Sequence, residues 1–201
     1  MTPSIIAESS PFHSPMKTIA HVYNYLHPES GGPPQVILQL ARAQRELGCN
    51  IRLISTDISD PVVESFIAQH LDPLPPRYRL KPMGVRPLWS KRSIDRALKG
   101  VDVVHLHSIW PSPCLYVSQR CDRLNIPYVL SLHGHLRPEA LGLKALKKKM
   151  GLTIGFRQMI EGAQAIHALN HSERRDALRF GLRAPIAVIP NGLRAEHYQE
   201  S

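Results

Sequence analysis

Residues Val101–Trp110 read VDVVHLHSIW, and Tyr128–His135 read YVLSLHGH. Each is a short apolar, β-branched run that ends abruptly in histidines and small polar residues. A continuous apolar run of this length fits a strand buried on both faces, as in a parallel sheet covered by helices. In open parallel α/β sheets, ligands bind just outside the carboxyl ends of the strands. His105, His107, His133 and His135 fall at those ends.

Working outward, the same alternation continues in both directions. Upstream, Thr18–Tyr23 is a strand and His27–Pro34 a glycine- and proline-rich turn that opens a helix. Proline suits a first helical turn, where its missing N–H was unpaired anyway. Val36, Ile37, Leu40, Ala43 and Leu47 follow at helical spacing, Gly48 caps the end, and Ile51–Ser55 is a second strand. Strand, glycine turn, helix, strand is a βαβ unit. Val62–His70 predicts a helix, Tyr78–Lys81 a third strand and Ser90–Leu98 another helix. Downstream come a helix over Pro113–Leu124 and a strand over Pro127–Leu132. Pro138–Ile160 is a long helical stretch in which Gly142, Gly151 and Gly155 predict a break. A strand at Ala165–Ala168, a helix at Ser172–Phe180 and a strand at Ile186–Ile189 complete the series. Alternating strands and helices predict an α/β, doubly wound, mostly parallel sheet with helices on both faces.

Composition agrees with one such domain. The chain has 201 residues, enough for a real core. Cys49, Cys114 and Cys121 form no metal-like pair, which reads as free thiols in a reduced, cytoplasmic setting. No run approaches transmembrane length. Residues 1–15 carry three prolines and no period, and read as a disordered extension, with Met16 resembling a natural start. The formal charge of +9 favours anionic partners, from nucleotides to lipid headgroups. No basic run is interleaved with aromatics, so nucleic acid ranks last among them.

Four motifs carry chemistry. Gly31-Gly32, between a strand and a helix, lets backbone approach a phosphate at a helix N-terminus. The pair is neither G-x-G-x-x-G nor a P-loop, so a plain tight turn competes. His105 and His107, two apart on a strand, point to one face, and His133 and His135 repeat the pattern next door. Imidazole is a common zinc ligand, but the (β/α)8 hydrolases that use H-x-H need about 250 residues. Hydrogen bonding at strand ends explains His105 and His135 equally well. His133, before Gly134, is the favoured residue for chemistry. Lys144, Lys147 and Lys148 flank an apolar helical stripe that suits an anionic membrane or a phosphate, or a solvated face. Val188-Ile189-Pro190-Asn191-Gly192 predicts a turn after a strand.

Taken together these pieces resemble the amino-terminal half of a family 4 (group 1) glycosyltransferase of the GT-B type, as in enzymes of exopolysaccharide and O-antigen synthesis. The residues that carry the resemblance are Gly31-Gly32 with Leu40-Ala41 and Leu47-Gly48; Asp102–His107; Leu132-His133-Gly134 with Pro138, Ala140-Leu141 and the lysines; Ala165–Asn170 with Glu173; and Val188–Gly192. They span Met16 to Tyr198, and their order and spacing, rather than any one piece, is specific.

The resemblance implies a Rossmann-like domain over 16–192 and the start of an interdomain linker over 193–201. It implies retaining hexosyl transfer, without a metal or other cofactor, from a nucleotide sugar to a polysaccharide or polyprenyl-linked acceptor. Gly31 and Gly32 would approach the donor diphosphate and His133 the donor sugar. His107, Ser108, Trp110 and Arg137 would line the acceptor side, and Lys144, Lys147 and Lys148 would meet the inner membrane surface. The family's second domain carries a Glu-x7-Glu donor motif that this sequence lacks. A one-walled site cannot exclude water or orient a donor. The chain alone is therefore expected to be inactive, and a non-catalytic acceptor- or membrane-binding subunit, partnered by a separate donor-domain chain, is the alternative.

Overall fold

The computed structural model describes residues 16–80, 82–83, 88–142 and 150–192. The expected extension over 1–15, Lys144, Lys147 and Lys148, and the expected linker over 193–201 lie outside the described residues.

Seven strands form one parallel sheet: β1 (Thr18–Val22), β2 (Asn50–Ser55), β3 (Arg77–Arg79), β6 (Val103–His107), β7 (Tyr128–Ser131), β8 (Ala165–Ala168) and β9 (Ile186–Val188). Their order is β3-β2-β1-β6-β7-β8-β9, and all six pairings are parallel. The chain winds one way from β1 to β3 and the other way from β6 to β9. The order therefore reverses between β1 and β6, and the crevice at such a switch point is where α/β sheets bind ligands. Two further short strands, β4 (Pro82–Met83) and β5 (Leu88–Trp89), make an antiparallel pair apart from the sheet. The sequence pattern did not predict them, because two-residue strands have no period to read.

The helices are α1 (Gly32–Glu46), α2 (Pro61–His70), α3 (Lys91–Leu98), α4 (Ser112–Leu124), α5 (Pro138–Gly142), α6 (Arg157–Glu161) and α7 (His171–Arg179). Their starts follow from local chemistry. The Asp60 side chain accepts from Val62 N at 2.8 Å, with Pro61 in the first turn of α2. Ser90 Oγ accepts from Ser93 N at the start of α3. Asn170 Oδ1 accepts from Glu173 N at 2.9 Å at the start of α7. Each cap satisfies an N–H that the helix itself leaves unpaired. α4 stops at Asn125, whose φ of 53° is left-handed.

The break expected in 138–160 is present. A π-type turn over Leu152–Phe156 precedes α6, and Gly155 within it has φ 130°. Only glycine takes that conformation without strain.

Alternation along the strands divides the sheet into two different faces. Ala20, Val22, Val104, Leu106, Leu130, Ile166 and Ala168 pack with Ile94 and Leu98 of α3, Cys114, Val117 and Cys121 of α4, and Met159 and Ile160 of α6. The residues between them face the other way: His21, His105, His107, Ser131 and His167. On that second side Ile37, Leu38 and Ala41 of α1 pack with Leu53 and with Val63 and Ile67 of α2. β6 is buried on both faces, as its apolar run predicts, but one of the faces is imidazole. All three cysteines are free.

Candidate functional site

The loop after β1 is built by backbone capture. The Asp57 carboxylate, in the loop after β2, accepts from Leu26 N at 3.0 Å and His27 N at 2.9 Å. Ser55 Oγ donates to the same carboxylate. The loop then turns through Gly31 at φ 96° into α1. Gly32, the first residue of α1, has nothing within 4 Å of where a Cβ would sit, so its neighbourhood is open. Gly31 therefore supplies the conformation and Gly32 the access.

Across the switch point, two non-glycine residues with positive φ stand at adjacent strand ends: Ser108 after β6 at 85° and His133 after β7 at 48°. Such strain costs of order 1–3 kcal/mol and concentrates at ligand sites. The Leu132–His135 turn closes by His135 N donating to Leu132 O at 3.1 Å. With left-handed φ at both His133 and Gly134 it has the hand of a type I′ turn. Glu173 holds this turn in place. Its Oε1 accepts from Gly134 N at 2.5 Å and its Oε2 from Leu169 N at 2.7 Å. One buried carboxylate thus ties the end of β7 to the end of β8.

Behind His133 lies a chain of side chains. His133 Nε2 is 3.3 Å from His107 Nδ1. His107 Nε2 is 2.9 Å from His21 Nδ1, and His21 Nε2 is 2.7 Å from Gln44 Oε1 on α1. A second chain runs from His105 Nε2 to Ser131 Oγ at 2.7 Å, on to His167 Nδ1 at 2.7 Å, and from His167 Nε2 to Ile189 O at 2.8 Å. The two chains touch where His105 stacks on His107, with ring centroids 4.1 Å apart.

Burial strips these rings of the water a charge would need. It pulls His21 and His133 down to about 4, and takes His105 and His107 well below the ordinary imidazole value. Neighbouring imidazoles push His105, His107 and His133 the same way. At neutral pH His21, His105, His107 and His133 are therefore uncharged donors and acceptors.

Of the residues expected on the acceptor side, His107 and Ser108 are enclosed, each 1% exposed. Ser108 Oγ lies 2.6 Å from His135 Nδ1. Trp110 is half-buried, its ring 5.7 Å from that of Phe156. Arg137 is exposed, its side chain running beside Gly134. His105, expected at a strand end, lies in the middle of β6, where it hydrogen-bonds to Ser131.

Sequence reading passed over His21, Gln44, Ser131 and His167. His21 carried one usable signal, a lone histidine in a β-branched opening strand. Pairing β1 with β6 then puts it beside His105. Gln44 looks like any helix-surface amide until the fold brings it under β1.

One group among the described residues has the composition of a metal site: His21, His105 and His107, whose ligating nitrogens lie within 4.8 Å of one another. A tetrahedral ion with bonds near 2.0–2.1 Å holds its ligands only about 3.4 Å apart. His21 Nδ1 and His107 Nε2 already share a hydrogen bond. The spacing suits hydrogen bonding better than coordination. Among the described residues no helix is long and apolar enough to cross a membrane.

No curated protein matches this sequence. Solved structures do match its fold. HepE (Alr3699) of Anabaena, determined with UDP and glucose, superposes with a TM-score of 0.66 at 17% identity, over 92% of this chain and 47% of that one. A sucrose-phosphate synthase of Thermosynechococcus elongatus gives 0.65 at 16% identity, over 90% and 49%. A glycosyltransferase of Rickettsia africae gives 0.62 at 18%, over 92% and 46%. The chain thus spans about half the length of each of these proteins, and its sheet is a Rossmann-like half of the GT-B fold. The family model for Glycosyltransferase Family 4 matches residues 30–197, a stretch that runs from the Gly31-Gly32 turn through the His133 turn and past Asn191-Gly192. On that match, over a sheet and a strand-end site that agree with it, the chain belongs to Glycosyltransferase Family 4.

Proposed function

We propose that this chain forms the acceptor-side wall of a retaining hexosyltransferase that takes a nucleotide sugar as donor and a polysaccharide or lipid-linked glycan as acceptor. The observation that carries the reading is His133. It sits on a strained turn at the carboxyl end of β7, held by Glu173 and backed by buried imidazoles. That is a preorganised polar group beside a switch-point crevice. Neighbouring structures of the same fold, one of them determined with UDP and glucose, support the donor class.

In this reading the Gly31 and Gly32 backbone approaches the donor diphosphate, and the amino end of α1 favours its charge. His133 hydrogen-bonds a hydroxyl of the donor sugar near the reacting carbon. Trp110 and Arg137 meet the acceptor. His107 and Ser108 act behind them, through His133 and His135. The leaving phosphate is stabilised by fixed donors and basic groups rather than by a metal. The lysines at 144, 147 and 148 bring the protein to an anionic membrane face, where a polyprenyl-linked acceptor would lie.

A panel of labelled nucleotide sugars, assayed with lipid-linked acceptors on the assembled protein, tests this. Changing His133→Ala should lower kcat by about 100-fold or more, as removal of a preorganised donor or acceptor does elsewhere. A variant with undiminished turnover would remove His133 from the reaction.

A further inference from the structure

The chain Gln44–His21–His107–His133 has a direction. A neutral imidazole carries one N–H and one bare nitrogen, so each ring in a row can donate at one end only. The Gln44 amide presents its oxygen to His21 at 2.7 Å, and an amide oxygen only accepts. His21 therefore donates from Nε2 and is bare at Nδ1. That nitrogen lies 2.9 Å from His107 Nε2, which must donate to it. His107 is then bare at Nδ1, and His133 Nε2 donates to it across 3.3 Å. One proton is left for each ring and none for His133 Nδ1.

We propose that Gln44 sets the tautomer of His133 through two buried histidines, leaving His133 Nδ1 as an acceptor for a hydroxyl donated by bound sugar. Gln44, His21 and His107 are positioning residues, since only His133 stands at the crevice. The inference rests on the sugar-transfer reading for what meets Nδ1. The tautomer itself does not depend on any substrate.

The opposite tautomer would turn an N–H toward the ligand. A site built to accept from a hydroxyl and a site built to donate to an oxygen choose different ligand atoms, so the amide of Gln44 selects which chemistry His133 offers. Rotating that amide by half a turn would present its NH2 to His21 and reverse every proton in the row.

The second chain provides an internal reference. Ile189 O can only accept, so His167 donates from Nε2, Ser131 donates to His167 Nδ1, and His105 donates from Nε2 to Ser131. Its direction is set by backbone and owes nothing to Gln44.

The test is long-range 1H–15N correlation on the full chain labelled with 15N-histidine, at pH 7.5 and without ligand. His21, His107 and His133 should all show the Nε2–H pattern. In Gln44→Leu the single-tautomer pattern of His133 should be lost, while His105 and His167 stay as they were. Gln44→Glu, which can only accept from His21, should restore the wild-type pattern. Gln44→Lys, which can only donate, should move His133 to Nδ1–H. A wild-type His133 protonated at Nδ1 overturns the proposal without any variant, and so does a Gln44→Lys protein whose His133 pattern is unchanged. If sugar transfer is never found, these spectra still decide the tautomer. If they come out as expected, the transferase reading must stand or fall on its own assay.

Discussion

Glu173 Oε1 accepts a hydrogen bond from the Gly134 backbone N–H at 2.5 Å, joining the first turn of α7 to the turn that displays His133. Its second oxygen takes the Leu169 N–H, so a single side chain fixes two strand ends. Hydrogen bonds to a charged group contribute about 1.5–3 kcal/mol each, and a buried amide left without its partner costs a similar amount. Glu173→Ala should therefore lower stability by about 3 kcal/mol in urea denaturation. Glu173→Gln keeps one accepting oxygen and should lose about half of that. Amide exchange at Gly134 and Leu169 should accelerate in both variants. Unchanged exchange there would mean that the turn holds itself.

The two adjacent glycines should respond differently to the same change. Gly31→Ala forces a Cβ into φ 96°, at a cost of about 1–2 kcal/mol. Gly32→Ala meets nothing within 4 Å and gains helix propensity, so it should be neutral or slightly stabilising. Thermal melts of the two variants, side by side, read the difference. Equal losses would remove the distinction between conformation and access drawn for this turn.

Acid should weaken the fold through the imidazole cluster. An unfolded histidine takes up its proton near pH 6.5. Folded His21 and His133 do so only at about 4, because burial disfavours the charge. Between those values the unfolded state holds the extra proton, so stability falls as pH drops from about 6.5 toward 4 and is level above 6.5. For fully buried His21 the loss from pH 7 to pH 5 is about 2 kcal/mol. Denaturant midpoints at pH 7.5, 6 and 5 check the sign. A midpoint that does not move would mean that the rings are hydrated.

The three thiols should separate kinetically. Burial pushes Cys114 and Cys121 up to about 12, so neither presents a thiolate at neutral pH. Cys49 is half-buried, immediately before β2. A disulfide exchange reagent should modify Cys49 alone in the native protein and all three in denaturant. Rapid native labelling of Cys114 would show that the α4 face opens.

The parallel sheet and the succession of strands and helices were legible because β-branched runs and helical periods alternate along the chain. His133 stood out because Gly134 follows it at a strand end. What could not be read was how strands far apart in sequence pair. His21 and His105 are in register only because β1 lies against β6, and hydrophobic pattern says nothing about which strand neighbours which. Gln44 and His167 were hidden for the same reason. Ser131 looked like a plain strand residue, and Ser108 gave no sign of its left-handed φ. Ser90–Leu98 was read one residue early, since Ser90 caps the helix rather than joining it.

The reversal of strand order between β1 and β6 has a consequence for how this architecture can vary. The lip after β1 belongs to a segment that winds toward β3, and the lip after β6 to one that winds toward β9. No stretch of backbone passes directly from one lip to the other. Residues can be added or removed on either side without stretching the opposite side, so the two banks of the crevice can change length independently over the floor they share.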